Sequence, residues 1–292
     1  MILDLLHNSY CSLNPNIFKF RTNATSFKIN YKIGKEVTGY YPHFGITARE
    51  GLMVLHRFAD EDIWYNLDAF ARSPIVTGDM TYITDGKRLY DILIYGPNLT
   101  TLDELEIEIS DEFQGEILDT SSSRKMMVLG GLNSFGIGCT TSGLFFSNIL
   151  QRTFDCELKR VVYNEINYLE KVHDYLKNGD VPQVDVSILE VDYVNQNDAH
   201  VERYLDETVS MLQEHSNHVI CWLTIPENKD YKRQNAKELL KDKGVIFKDL
   251  SFIYDDFSEM CTYSWHFIND SANIFIFKSM KETISEVANW SI

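Results

Sequence analysis

The stretch Val128-Leu129-Gly130-Gly131-Leu132-Asn133-Ser134-Phe135-Gly136-Ile137-Gly138 places four glycines directly after an apolar run. A strand, Met126 to Leu129, that opens into a glycine-rich turn and then a helix from about Thr140 is how α/β folds bring backbone close to a ligand. Two nucleophile-type side chains lie in or just after this turn. Ser134 is either a hydroxyl carried to a reacting centre by a rearranged loop or a residue that hydrogen-bonds the turn's own backbone. Cys139 either begins the next helix, where the dipole lowers a thiol pKa, or is a small packed residue. Glu165 and Asp192 fall at the carboxyl ends of neighbouring strands, with His266 near them. Together they would make an acidic cleft suited to a cation, a polyol or general acid–base chemistry. Solvated loop carboxylates are the alternative.

The elements that must hold these residues change character along the chain. Residues 1 to about 120 show short alternating or β-branched runs: Ile17–Thr22, Ser26–Tyr31, Gly51–Leu55, Leu89–Tyr95 and Leu105–Ile109. Gly, Pro and polar breaks separate them, as at Gly34, Pro42, Gly78 and Gly96-Pro97-Asn98. Period-two alternation with frequent turns predicts a half-buried antiparallel β-sandwich of about seven or eight strands, jelly-roll-like. Asp119–Arg124 is small and polar, a linker. Beyond it strands and helices alternate. Strands are expected at Met126–Leu129, Arg160–Tyr163, Val184–Val191, His218–Ile225 and Val245–Phe247. Helices are expected at Ser142–Phe154, Tyr168–Lys177, Ala199–Glu214, Tyr231–Lys243 and Asp270–Val287. The interior strands are continuous apolar runs, as strands covered on both faces must be, so a five-stranded parallel sheet is expected, with ligands at its carboxyl edge. The fold class is α/β, with domains 1–120 and 121–292.

Composition narrows the function. The chain has 292 residues, 44% hydrophobic and 24% charged, with a net charge of -16. Such a charge argues against nucleic acid and against an anionic membrane surface. The cysteines Cys11, Cys139, Cys156, Cys221 and Cys261 are widely spaced, odd in number and without a CxxC pair. They suggest neither a disulfide framework nor a zinc site, and a reducing, cytoplasmic compartment is expected. Met1–His7 lacks the charged and apolar regions of a secretion signal. No stretch reaches the ~18 apolar residues that span a bilayer. No cofactor or metal is expected.

The turn resembles the first sequence block of SGNH/GDSL hydrolases, in which strand one ends in Gly-Asp-Ser and the serine attacks esters. Gly130 and Gly136-Ile137-Gly138 match that block, while the nucleophile position falls on Leu132, between Gly131 and Asn133. The resemblance implies that the last block is Tyr263-Ser264-Trp265-His266, with His266 as base and Asn269-Asp270 capping the final helix. Tyr263 stands where the orienting aspartate belongs, with Asp255, Asp256 or Glu259 as possible substitutes. The second block supplies an oxyanion-hole glycine, and here that turn is Tyr163-Asn164-Glu165-Ile166-Asn167, without one. The third supplies an asparagine, matched by Asn195 or Asn197. Two-domain relatives resembling carbohydrate esterases carry a sandwich ahead of the catalytic domain, and Leu89–Pro97 followed by Leu105–Ile109 looks like a segment of it. Trp64, Tyr65 and Tyr40–Phe44 could stack on sugars or pack in the sandwich core.

Three readings follow. The first is an esterase or O-acetyltransferase acting through Ser134, His266 and Asn195. The second is a hydrolase-derived protein without that chemistry, which binds a sugar or acylated small molecule through Gly131, Leu132, Asn133, Glu165 and Asp192, or assists a biosynthetic pathway. The third is an acid–base enzyme working in the acidic cleft. Leu132 and Tyr263 together favour the second, because losing triad members removes orders of magnitude of rate.

Overall fold

The computed structural model describes residues 1–8, 16–36, 44–70, 77–163, 165, 167–191, 198–224, 230–255 and 267–291. The chain divides into two compact units, Met1–Ser121 with Thr140–Gly143, and Ser122–Cys139 with Leu144–Ile292.

Alternation of apolar and polar side chains builds the first unit. Its strands are β1 (Ile2–Asp4), β2 (Ile17–Thr22), β3 (Ser26–Glu36), β4 (Leu52–Phe58), β5 (Tyr65–Phe70), β6 (Thr77–Ile83), β7 (Tyr90–Tyr95), β8 (Thr100–Ile109) and β9 (Gly115–Ile117), with short helices α1 (Leu5–Asn8) and α2 (Ile46–Glu50). They form two antiparallel sheets, ordered β1-β8-β3-β6 and β5-β4-β7-β2-β9. The first eight strands in the orders 1-8-3-6 and 5-4-7-2 make the two interlocked Greek keys of a jelly roll. Phe18, Phe20, Phe27, Ile29, Val54, Ile92, Ile94, Leu105 and Ile107 fill the space between the sheets. The described strands exceed the expected seven or eight because β1 and β9 are three-residue edge strands, too short to show a period.

The face of the second sheet turned away from this core carries a row of charges. Register places Arg57 beside Asp91, Asp91 beside Arg21, and Arg21 beside Glu116. Asp91 is fully buried and lies 2.6 Å from Arg21 Nε and 3.2 Å from Arg57. Burial works to raise its pKa, but hydrogen bonding and charge from Arg21, with Lys19 and Arg57, hold it below the usual carboxylate value. Arg57 lies 4.6 Å and Lys19 5.8 Å from the Trp64 ring centre. Tyr65 stacks on His56 at 5.7 Å. Tyr40–His43 lie outside the described residues, while Phe44 is buried.

The second unit is wound from β10 (Lys125–Gly130), α3 (Leu132–Phe135), α4 (Phe146–Phe154), β11 (Glu157–Val162), α5 (Tyr168–Asn178), β12 (Val184–Glu190), α6 (Asp198–His215), β13 (Ser216–Leu223), α7 (Asp230–Leu240), β14 (Ile246–Asp249), α8 (Phe252–Asp255) and α9 (Asp270–Ala288). The sheet is ordered β11-β10-β12-β13-β14, with every pair parallel. The chain leaves β10 toward one edge, returns, and continues to the other. This makes the carboxyl end of β10 the topological switch point, where open α/β sheets hold ligands. Met126–Leu129 have no exposed surface, as a central strand covered on both faces requires.

The helix after the glycine turn departs from the sequence expectation. Instead of one helix from about Thr140 or Ser142 there is a single turn at Leu132–Phe135, a 3-10 turn at Ser142–Leu144, and a helix only from Phe146. Gly136 (φ 93°) and Gly138 (φ 104°) both take left-handed backbone, which stops the first turn. A Cβ at Gly138 would also lie 2.5 Å from the Ile268 carbonyl oxygen. Among the described residues no helix is long and apolar enough to cross a membrane.

Candidate functional site

The switch point is occupied by the Gly130–Phe135 turn, whose backbone is held from both ends. On the amide side stands Glu190, the last residue of β12. Its Oε2 accepts from the Gly131 N–H at 3.0 Å and from the Ser134 N–H at 2.7 Å. The side chain is 2% exposed. Amides at the start of a helical turn offer partial positive charge that a carboxylate matches. Tyr168 Oη donates to the Glu190 carbonyl at 2.8 Å, fixing the end of the same strand.

The carbonyl side is held by Arg160 of β11. Its Nη2 donates to the Ser134 carbonyl at 2.9 Å and to the Phe135 carbonyl at 3.2 Å. The guanidinium lies 4.8 Å from the Phe145 ring centre, and burial pushes its pKa down to about 10.

Close packing explains the glycines. A Cβ at Gly130 would lie 2.6 Å from Glu190 Cβ and 2.6 Å from Ser134 Oγ. A Cβ at Gly131 would lie 2.4 Å from the Tyr168 ring. Asn133 is buried, donates to Thr224 Oγ1 at 3.3 Å and accepts from the Ile268 N–H at 3.5 Å, tying the turn to the ends of β13 and the approach to α9.

The sequence-expected site residues separate clearly. Gly131, Leu132, Asn133 and Ser134 form the turn itself. Ser134 is 1% exposed, and its buried hydroxyl has no hydrogen-bond partner among the described residues. Its backbone N–H and C=O, not its Oγ, carry its contacts. Leu132 is the only α3 side chain not fully buried. Glu165 is exposed and pairs with Lys171 at 3.5 Å. Cys139 is buried rather than poised at a helix start. Burial, with the charge of Asp270, raises its pKa well above the ordinary thiol value, and it accepts a hydrogen bond from Asn273. His266, Asn195, Asp192, Asn197, Tyr263, Asp256 and Glu259 lie outside the described residues. Asn269 caps α9, accepting from the Ala272 N–H at 3.1 Å.

Sequence reasoning missed Glu190 and Arg160 as site residues. One signal was present for Glu190, a charge near the end of a strand expected to be covered on both faces, where an ion needs a partner. Among the described residues no cluster of three or more His, Cys, Asp or Glu side chains is placed to hold a metal ion. What α3 leaves partly exposed is an aliphatic side chain, with its one hydroxyl buried beneath.

No protein-family model and no curated protein matches the sequence. Solved structures do match. One is a GDSL-like lipase from Bacteroides ovatus, at TM-score 0.74 and 17% identity over 94% of this chain and 85% of that one. Another is a family 2 carbohydrate esterase with a carbohydrate-binding domain from Corynascus thermopiles (Myceliophthora fergusii), at TM-score 0.61 and 10% identity over 99% and 100%. A third is the salicylyl-acyltransferase SsfX3 from a tetracycline biosynthetic pathway, at TM-score 0.61 and 13% identity over 93% and 82%. Identities this low speak to architecture alone. Their agreement along nearly the whole chain shows that this protein has an SGNH/GDSL hydrolase-like fold together with a sandwich unit.

Proposed function

We propose that this protein uses its hydrolase-type cleft to bind a sugar or acylated small molecule and does not hydrolyse esters by a serine nucleophile at the β10 turn. One observation carries the reading: the only partly exposed side chain of α3 is Leu132, while the neighbouring hydroxyl of Ser134 is 1% exposed. An aliphatic side chain cannot attack a carbonyl. The Ser134 hydroxyl, 1% exposed, is not presented to one in this turn. The fold resemblances to an esterase, a lipase and an acyltransferase support an acyl or carbohydrate ligand over a nucleic acid, as does the net charge of -16.

Two measurements test this. A serine-directed fluorophosphonate at high protein concentration should leave the chain unlabelled, and p-nitrophenyl acetate should be turned over no faster than by buffer. A thermal-shift panel of mono- and oligosaccharides, each with its O-acetylated form, should contain at least one compound that raises Tm, since binding to the native state stabilises it. Stoichiometric labelling overturns the first half of the proposal. A flat panel overturns the second.

A further inference from the structure

We infer that Glu190 and Arg160 are the positioning pair of this site, an anion and a cation that clamp the two ends of one helical turn and fix where Leu132 points. Glu190 sits at the end of β12 and Arg160 within β11, the strands on either side of β10. They thus reach the turn from the two strands that flank β10. Glu190 takes the N–H groups of Gly131 and Ser134, and Arg160 takes the carbonyls of Ser134 and Phe135. Each charge lies at the end of the turn where its sign opposes the partial charge of the exposed peptide groups.

Side-chain interactions of ordinary kinds would hold a surface turn. Charged groups inside a sheet are costly to bury and rarely persist without a role or a full set of partners. Here the partners include the backbone of the turn, and that backbone carries Leu132, Asn133 and Ser134. Leu132 is half-buried while the rest of α3 is buried, so the clamp holds its methyl groups at the carboxyl edge of the sheet. This positioning role concerns the geometry of the turn and stands apart from the identity of the ligand.

The test is nuclear magnetic resonance and amide hydrogen exchange on the full chain. In the wild type the Ser134 amide proton, donating to a carboxylate at 2.7 Å, should resonate far downfield. In Glu190→Gln it should move upfield, and the Gly131 and Ser134 amides should exchange about tenfold faster relative to those of β12 and β13. Arg160→Met should instead speed exchange at Phe135 and Gly136, whose N–H groups close the turn onto the Gly131 and Leu132 carbonyls. Arg160→Lys, which keeps one donor, should restore part of that protection. In either uncharged variant the Leu132 methyl groups should lose order. Val186→Ala, a buried change on β12, is the control for plain destabilisation and should lower Tm without selective exchange in the turn. Should Glu190→Gln fail to fold, the Arg160 pair decides alone. Exchange that rises uniformly, or a turn unchanged by loss of either charge, overturns the inference.

Discussion

Ser134→Ala separates a buried backbone anchor from a hidden nucleophile. The hydroxyl is 1% exposed and unpartnered among the described residues, so it carries the desolvation cost of an unmade hydrogen bond, about 1–3 kcal/mol. Alanine removes that cost and gains about 0.5 kcal/mol of helix propensity within α3. Against this stands a void the size of one oxygen, about 10 Å³, which at the usual cavity coefficient costs about 0.2 kcal/mol. The contacts to Glu190 and Arg160 run through the Ser134 backbone and survive. The net expectation is a gain of about 1–3 kcal/mol, with Tm rising about 2–4 °C per kcal/mol for a protein of this size. Urea denaturation with an unchanged m-value, alongside thermal melts, reads it directly. A loss of more than about 1 kcal/mol would mean that the hydroxyl has a partner, which the unpaired-hydroxyl argument forbids. If the wild type does show esterase activity or fluorophosphonate labelling and Ser134→Ala abolishes it, Ser134 is the nucleophile and the sealed-hydroxyl reasoning fails.

Other positions make independent predictions. Gly130→Ala forces a methyl group to within 2.6 Å of Glu190 Cβ, and should cost about 3 kcal/mol or more in chemical denaturation. In the sandwich, Asp91→Ala leaves Arg21 and Arg57 without their shared buried anion and should cost about 3–5 kcal/mol. Because the Asp91 pKa in the folded state lies below its unfolded value, its stabilisation is present above about pH 4 and is lost as pH falls through the folded pKa. Urea midpoints measured from pH 7 to pH 3 should therefore fall for the wild type, and Asp91→Asn should remove that part of the slope. Burial pushes the Cys221 thiol up to about 12 and raises Cys139 and Cys156 as well. A Cys11→Ser, Cys261→Ser variant should thus react with Ellman's reagent only on unfolding, and fast native reaction of any thiol would contradict the burial.

The fold was legible because hydrophobic period tracks which faces are covered. The continuous apolar run at Met126–Leu129 marks a strand covered on both faces, and it lies inside the parallel sheet. Alternation at Ile17–Thr22 and Leu105–Ile109 marks strands with one wet face. β5 and β6 also alternate, Tyr65, Leu67 and Ala69 in one and Met80 and Tyr82 in the other, but polar partners and Gly78 thin the pattern. The helix boundary after the turn is hidden in the sequence because two left-handed glycines and a 3-10 turn interrupt a stretch whose composition suits a helix.

The site was legible only in part, for a reason that lies in its chemistry. A motif records side chains, and this turn is held through its backbone. Leu132 announces a missing hydroxyl because the family pattern names a side chain there. Glu190 makes its hydrogen bonds to peptide N–H groups 56 and 59 residues earlier, and peptide groups carry no sequence signature. The trace it leaves is a carboxylate directly after the apolar pair Ile188-Leu189, where an unpaired ion would cost several kcal/mol. Glu190 is buried and Arg160 partly exposed, and both hydrogen-bond the peptide groups of this turn. Those bonds place the turn that carries Leu132 under physical constraint from both neighbouring strands. A turn held in this way is what the proposed binding role requires, because a site works only when the elements that carry it are fixed.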